Sequence, residues 1–170
     1  MSRKGMAQPV RILGIDPGTA IVGWAVIDDA GGGRVLHVAH GCITTHKSHT
    51  DAERLAEIAQ NLRDLIAQYR PQEVGIEQLF YFKNQKTIIT VAQARGVALL
   101  AAQQHGLVIG EYTPLQIKQA VTGNGRADKR QVQEMVVRIY GLKSIPQPDD
   151  AADALAVAFC HSASRVMRSA

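Results

Sequence analysis

Apolar and polar positions along this chain recur on two different periods, and the places where the period changes divide it into strands and helices. Val10 to Asp16 alternates on the two-residue repeat of a strand, so Ile12, Gly14 and Asp16 share one face and Leu13 and Ile15 the other. Pro17-Gly18 stops it, and Ile21 to Ile27 reads as a second strand. The loop Asp28 to Gly33 leads to a third, Arg34 to Thr44. Connections this short force neighbouring strands to run antiparallel, which gives a three-strand meander. The period then lengthens. Thr50-Asp51-Ala52-Glu53 has the form of a capping box, and Leu55, Ile58, Leu62, Leu65, Ile66 and Tyr69 follow at helical spacing until Pro71. Val74 to Glu77 is a fourth, short strand, Gln85 to His105 a long helix closed by Gly106, and Leu107 to Tyr112 a fifth strand. Thr113-Pro114 opens a short helix, Asp128 to Tyr140 forms the next, and a last one runs from Asp149 to about Ser164. This order predicts an α/β fold: a mixed five-stranded sheet, three antiparallel strands and then strands alternating with helices, covered on both faces.

Length adds that 170 residues make one domain with a sizeable core, read as 10–165 between a flexible leader at 1–9 and a flexible tail at 166–170. The net charge of +4 points to an anionic partner without singling out nucleic acid. Cys42 and Cys160 lack metal-type spacing and read as small core residues in a reducing compartment. No apolar stretch has the length or flanks of a signal peptide or membrane span, so the expected location is the cytoplasm, with no membrane partner.

The candidate chemistry is acidic. Asp16 is held at the mouth of a strand, where its plain role is to start the Pro-Gly turn. Glu77 repeats the arrangement on the fourth strand, with Gly75 on the same face where another group needs to approach closely. Its plain role is an edge-strand residue facing water. Asp150 and Asp153 stand at i and i+3 on one helical face. Capping and the helix dipole account for Asp149 and serve for Asp150, but Asp153 is the sole polar position between Ala151 and Cys160. An enclosed carboxylate needs a cation, and no basic residue lies within a turn of it in sequence. Magnesium or manganese, hard ions that take carboxylate oxygens, meet that need. Clustered carboxylates otherwise raise one another's pKa, whereas two ions held about 4 Å apart suit in-line phosphodiester cleavage. His161 reads by default as a helix-end histidine.

Basic residues concentrate between Lys118 and Lys143, where Lys118, Arg126, Lys129, Arg130, Arg138 and Lys143 face only Asp128 and Glu134. A lysine at a helix start after the Gly123-Asn124-Gly125 loop suits a phosphate, while a solvated face is the ordinary fate of such a run. Phe80-Tyr81-Phe82 lies between Glu77 and the pair Lys83 and Lys86, a combination that stacks on unpaired bases unless the core absorbs the rings. The helix from Gln85 to His105 has no continuous polar face in its middle and asks to be buried on two sides, by the sheet and by a second copy or another helix.

Four stretches resemble, in order, the sequence blocks of the RuvC family of Holliday junction resolvases. They are Gly14-Ile15-Asp16-Pro17-Gly18, Ile76-Glu77-Gln78, Gln93-Ala94-Arg95-Gly96-Val97-Ala98 and Asp150-Ala151-Ala152-Asp153-Ala154-Leu155-Ala156, and the resemblance covers nearly everything from Val10 to Ser164. It implies a ribonuclease-H-like fold and a homodimer that resolves a four-way DNA junction by paired symmetric nicks, in recombination and repair beside the RuvA–RuvB branch-migration complex. It further implies Asp16, Glu77, Asp150 and Asp153 as ligands of two Mg2+ or Mn2+ ions, and no nucleotide cofactor. Gly123-Asn124-Gly125-Arg126-Ala127-Asp128-Lys129 matches a family stretch that makes Lys118 and Lys129 phosphate or active-site lysines, and Phe80 is the ring implied to meet junction bases. Other classes share part of the pattern. Gly-Ile-Asp-Pro-Gly-Thr also resembles the first phosphate loop of actin-like kinases, but 170 residues cannot supply their second lobe. A ribonuclease H shares the metal chemistry without needing the apolar helix. A noncatalytic DNA-binding relative has no use for four acidic residues in apolar company.

Overall fold

The computed structural model describes residues 8–79 and 85–168, with side chains at 85, 86 and 166–168 outside that description. Strand β1 (Val10–Asp16) pairs antiparallel with β2 (Ile21–Asp29), and β2 antiparallel with β3 (Val35–Thr44). On its other side β1 runs parallel to β4 (Glu73–Glu77), and β4 parallel to β5 (Val108–Tyr112), so the sheet order is β3-β2-β1-β4-β5. Helices α1 (Asp51–Tyr69) and α2 (Gln85–Gln104) cover one face; α3 (Pro114–Thr122), α4 (Lys129–Tyr140) and α5 (Asp149–Arg168) cover the other. This is the mixed α/β sheet that the alternation predicts. Among the described residues no helix is long and apolar enough to cross a membrane.

Most element ends fall within a residue or two of the predicted ones, for local reasons. Thr50, Thr113 and Asp128 each close a reciprocal capping box. Helix α1 ends on Arg70, whose φ of 51° lies in the left-handed region ahead of Pro71. The exception is α5, which runs on from the predicted end at Ser164 to Arg168. Arg165 is held there by Asp29 at 2.9 Å and Glu73 at 2.8 Å, a tertiary anchor that local sequence does not reveal.

Strand alternation sorts the core. Leu13, Ile15, Val74 and Ile76 pack under α1 and α2, whereas Ile12, Ala25 and Ile27 pack under α5. Asp16 and Glu77 follow the second set onto the α5 face. Gly14, Gly75 and Gly110 stand in register across β1, β4 and β5 on that face. A methyl group at Gly14 would strike the Ala154 carbonyl and lie 2.8 Å from the Ala158 methyl, and one at Gly75 would lie 3.0 Å from His161 Cβ. Alanine-rich α5 therefore rests almost on the backbone of the sheet. The group that needs room at Gly75 is this helix.

His161 is fully buried inside that contact. Its Nε2 lies 2.7 Å from a Glu73 carboxylate oxygen and its Nδ1 3.0 Å from the Tyr112 hydroxyl. Cys160 is buried, but Cys42 is only half-buried beside Asp150, where burial first and the neighbouring carboxylate second push its thiol up to about 11.

Candidate active site

Strands β1 and β4 run parallel, so their C-terminal residues Asp16 and Glu77 emerge at the same end of the sheet and on the same face. Their carboxyls stand close enough to shift each other's proton affinity. Burial holds the Asp16 carboxyl well above the usual carboxylate range, and the charges of Glu77 and Asp153 push it further. Glu77 is also raised, by burial, against the pull of Lys118 and Lys129.

The first turn of α5 lies over this pair. Gly23 is the register partner of Asp16, and a methyl group there would run into the main chain of Asp150, with the carbonyl carbon at 2.5 Å. Only glycine lets Asp150 come that near the end of β1. One turn on, Asp153 lines a cavity of about 240 Å³ together with Glu77, Lys118 and Lys129. Burial raises the Asp153 carboxyl, and Lys129 opposes the rise. Pro114, Ile117, Val132 and Ala156 form the cavity's apolar wall.

The cation that Asp153 needs is supplied in part by the chain itself. Lys129 Nζ lies 3.4 Å from Asp153 and 3.1 Å from Asp149, reaching across from α4. Burial works against the ammonium, but Asp153 and Asp149 outweigh it and leave its pKa above the ordinary value. The sequence reading of an Asp153 without a basic neighbour holds along the helix and fails across the fold. Asp149, read as a capping residue, is the second arm of this ion pair. Nothing local in the sequence signals either contact.

The other predicted site residues fall into three groups. Lys118 joins Lys129 in the cavity. Arg126 is exposed, and Arg130 pairs with Glu134 at 2.9 Å along the outside of α4. Phe80 and Lys83 lie outside the described residues, as does the side chain of Lys86. Asp149 aside, the sequence reading did not single out Arg95 as part of the site, although it sits in one of the four matching blocks. Its guanidinium bonds to the Glu77 carbonyl and to Glu111.

The donor set suits a hard divalent cation: four carboxylates, no thiolate and no imidazole, with Asp16 and Glu77 both raised by burial. As the side chains stand, no three Asp, Glu, His or Cys residues among those described converge tightly enough to hold one ion. Asp153 would have to exchange its Lys129 contact for the metal.

Five strands in this order, with acidic residues at the ends of β1 and β4 and on the helix across them, define a ribonuclease-H-like nuclease scaffold. The sequence model of crossover junction endodeoxyribonuclease RuvC matches residues 12–161. The crossover junction endodeoxyribonuclease RuvC of Rubrobacter xylanophilus is 55% identical over 94% of this chain and 88% of its own length. That of Syntrophomonas wolfei is 51% identical over 89% of this chain and 88% of its own. Thermus thermophilus RuvC, solved in complex with a Holliday junction substrate, superposes with a TM-score of 0.88 at 32% identity, covering 94% of this chain and 96% of that one. The yeast mitochondrial Holliday junction resolvase shares the fold at a TM-score of 0.69 and 12% identity, over 96% of this chain and 83% of its own. The chain belongs to the RuvC family of crossover junction endodeoxyribonucleases.

Proposed function

We propose that this protein is a Holliday junction resolvase that hydrolyses phosphodiester bonds with two divalent metal ions and nicks the junction symmetrically as a homodimer. The observation that carries the reading is the close Asp16–Glu77 carboxyl pair at adjacent strand ends, under the acidic first turn of α5 and facing two lysines. Asp16, Glu77, Asp150 and Asp153 would hold Mg2+ or Mn2+, which when bound activate a water and neutralise the departing 3′ oxygen. The chain's own groups do the rest. Lys118 and Lys129 draw a backbone phosphate toward the cavity, and Lys129 favours the charged form of Asp153 against burial. The apolar wall of Pro114, Ile117 and Val132 offers a surface to the sugar beside the scissile bond.

Two sites on one junction need two copies of the chain. Ile89 is 59% and Leu100 57% exposed, and with exposed Gln93 and Gly96 they form a seam at spacings of four, three and four along α2. Its opposite face buries Ala94, Ala98, Ala101 and Ala102. The sequence reading of burial on two sides thus corresponds to one buried face and one open seam, which suits a two-fold partner. Work in the cytoplasm beside RuvA–RuvB completes the reading.

The test is a labelled synthetic four-way junction set against a linear duplex and an RNA–DNA hybrid, each with Mg2+, Mn2+ or EDTA. Paired nicks in the junction alone, abolished by EDTA, are expected. Cleavage undiminished in EDTA would overturn the metal mechanism, and preference for the hybrid would make the protein a ribonuclease H.

A further inference from the structure

Arg95 projects from the middle of α2 toward the ends of β4 and β5. Its Nε donates to the main-chain carbonyl of Glu77 at 3.2 Å, and its Nη2 makes a close ion pair with Glu111. Glu111 stands one residue before Tyr112, the register partner of Glu77. One guanidinium therefore grips two neighbouring strands at the point where the catalytic carboxylate leaves the sheet.

Among the described residues, Glu77 has no register partner on β1. Pairing between β1 and β4 ends at Ile15–Ile76, one residue short of Glu77. The Gln78 N–H donates to the Tyr112 carbonyl at 2.8 Å, on the β5 side. In a trans peptide the C=O and N–H point opposite ways, so the Glu77 carbonyl turns toward the side where β1 has already stopped pairing. Arg95 supplies the donor that the sheet does not. A Lys there keeps the charge but lacks the planar fork that spans both partners. The action is geometric: the cations that pull on the Glu77 carboxyl are Lys118 and Lys129.

We propose that Arg95 is a positioning residue, which fixes the main chain of Glu77 so that its carboxylate stands correctly toward Asp16 and Asp153 for a divalent cation. The inference rests on the metal-dependent reading above. It also makes α2 a single rigid link, carrying the open seam on one side and the end of the catalytic strand on another.

The experiment compares full-length wild type with Arg95→Gln, Arg95→Lys and Glu111→Gln. Mn2+ binding is followed by electron paramagnetic resonance without DNA. Single-turnover junction cleavage is measured against metal concentration, junction affinity in Ca2+, and the thermal midpoint by circular dichroism. Arg95→Gln is expected to weaken Mn2+ binding about tenfold or more and to shift the metal dependence of cleavage equally, with junction affinity within about twofold. Arg95→Lys and Glu111→Gln should fall between it and wild type, and they decide the matter if Arg95→Gln fails to fold. A lower thermal midpoint with unchanged Mn2+ affinity in folded variants would make Arg95 merely structural and overturn the proposal. Wild-type protein that binds no Mn2+ would sink the metal reading and this inference together; wild-type binding with unaltered variants sinks this inference alone.

Discussion

At the residue scale the site is a set of carboxylates held in unfavourable company. Because Asp16 keeps its proton to a higher pH when folded than when unfolded, folding takes up protons, and native stability falls as pH rises from the unfolded value through the raised one. Glu77 and Asp153 act with the same sign. Asp16→Asn should therefore raise stability by about 1 kcal/mol at pH 7 to 8 in EDTA, with little gain near about pH 4, while ending cleavage. Thermal melts across pH check this, and a destabilised variant at pH 8 would count against it. Asp153→Asn should cut cleavage by about a hundredfold or more and leave junction binding intact, as gel-shift and cleavage assays would show. Lys129→Ala removes the cation that opposes the rise at Asp153, so the acid limb of the pH–rate profile should move to higher pH. Asp16, Glu77 and Asp153 stood out in the sequence because each ends or interrupts an apolar stretch. Their partners were not, since Lys129 and Asp149 meet only when α4 packs beside α5, and no periodicity encodes that contact.

At the scale of elements, α5 and the glycine row decide whether the carboxylates meet. The helix carries Asp150 and Asp153 on one turn, and its seating on Gly14, Gly75 and Gly23 sets where that turn stands above β1. Gly14→Ala should cost about 1–3 kcal/mol, because the added methyl meets the Ala154 carbonyl and the Ala158 methyl rather than a side chain that can yield. Urea denaturation measures the loss, and an unchanged midpoint would show that the helix can lift without penalty. Strand alternation and capping boxes made nearly every element readable, and Gly75 announced a close approach. The Tyr112–His161–Glu73–Arg165 chain gave no such notice, since a histidine and an arginine late in an apolar helix look like solvent-facing ends until the sheet beneath them is known.

At the scale of the whole molecule, the seam on α2 is the surface that the proposed homodimer would close. Leu100→Glu should place a charge in that seam and shift sedimentation from dimer to monomer, with junction resolution giving way to single nicks. A dimer that persists would move the two-fold contact elsewhere. The other end of the sheet has a use of its own. Val10 pairs with Asp29, and Asp29 is bonded to Arg165, so the start of β1 and the last part of α5 lie together. Strand β1, seven residues from Val10 at that corner to Asp16, spans about 20 Å. A fluorophore or surface tether attached ahead of Val10 or beyond Arg165 would ride on the enzyme clear of its cleft, which makes this corner the natural handle for watching single junctions being cut.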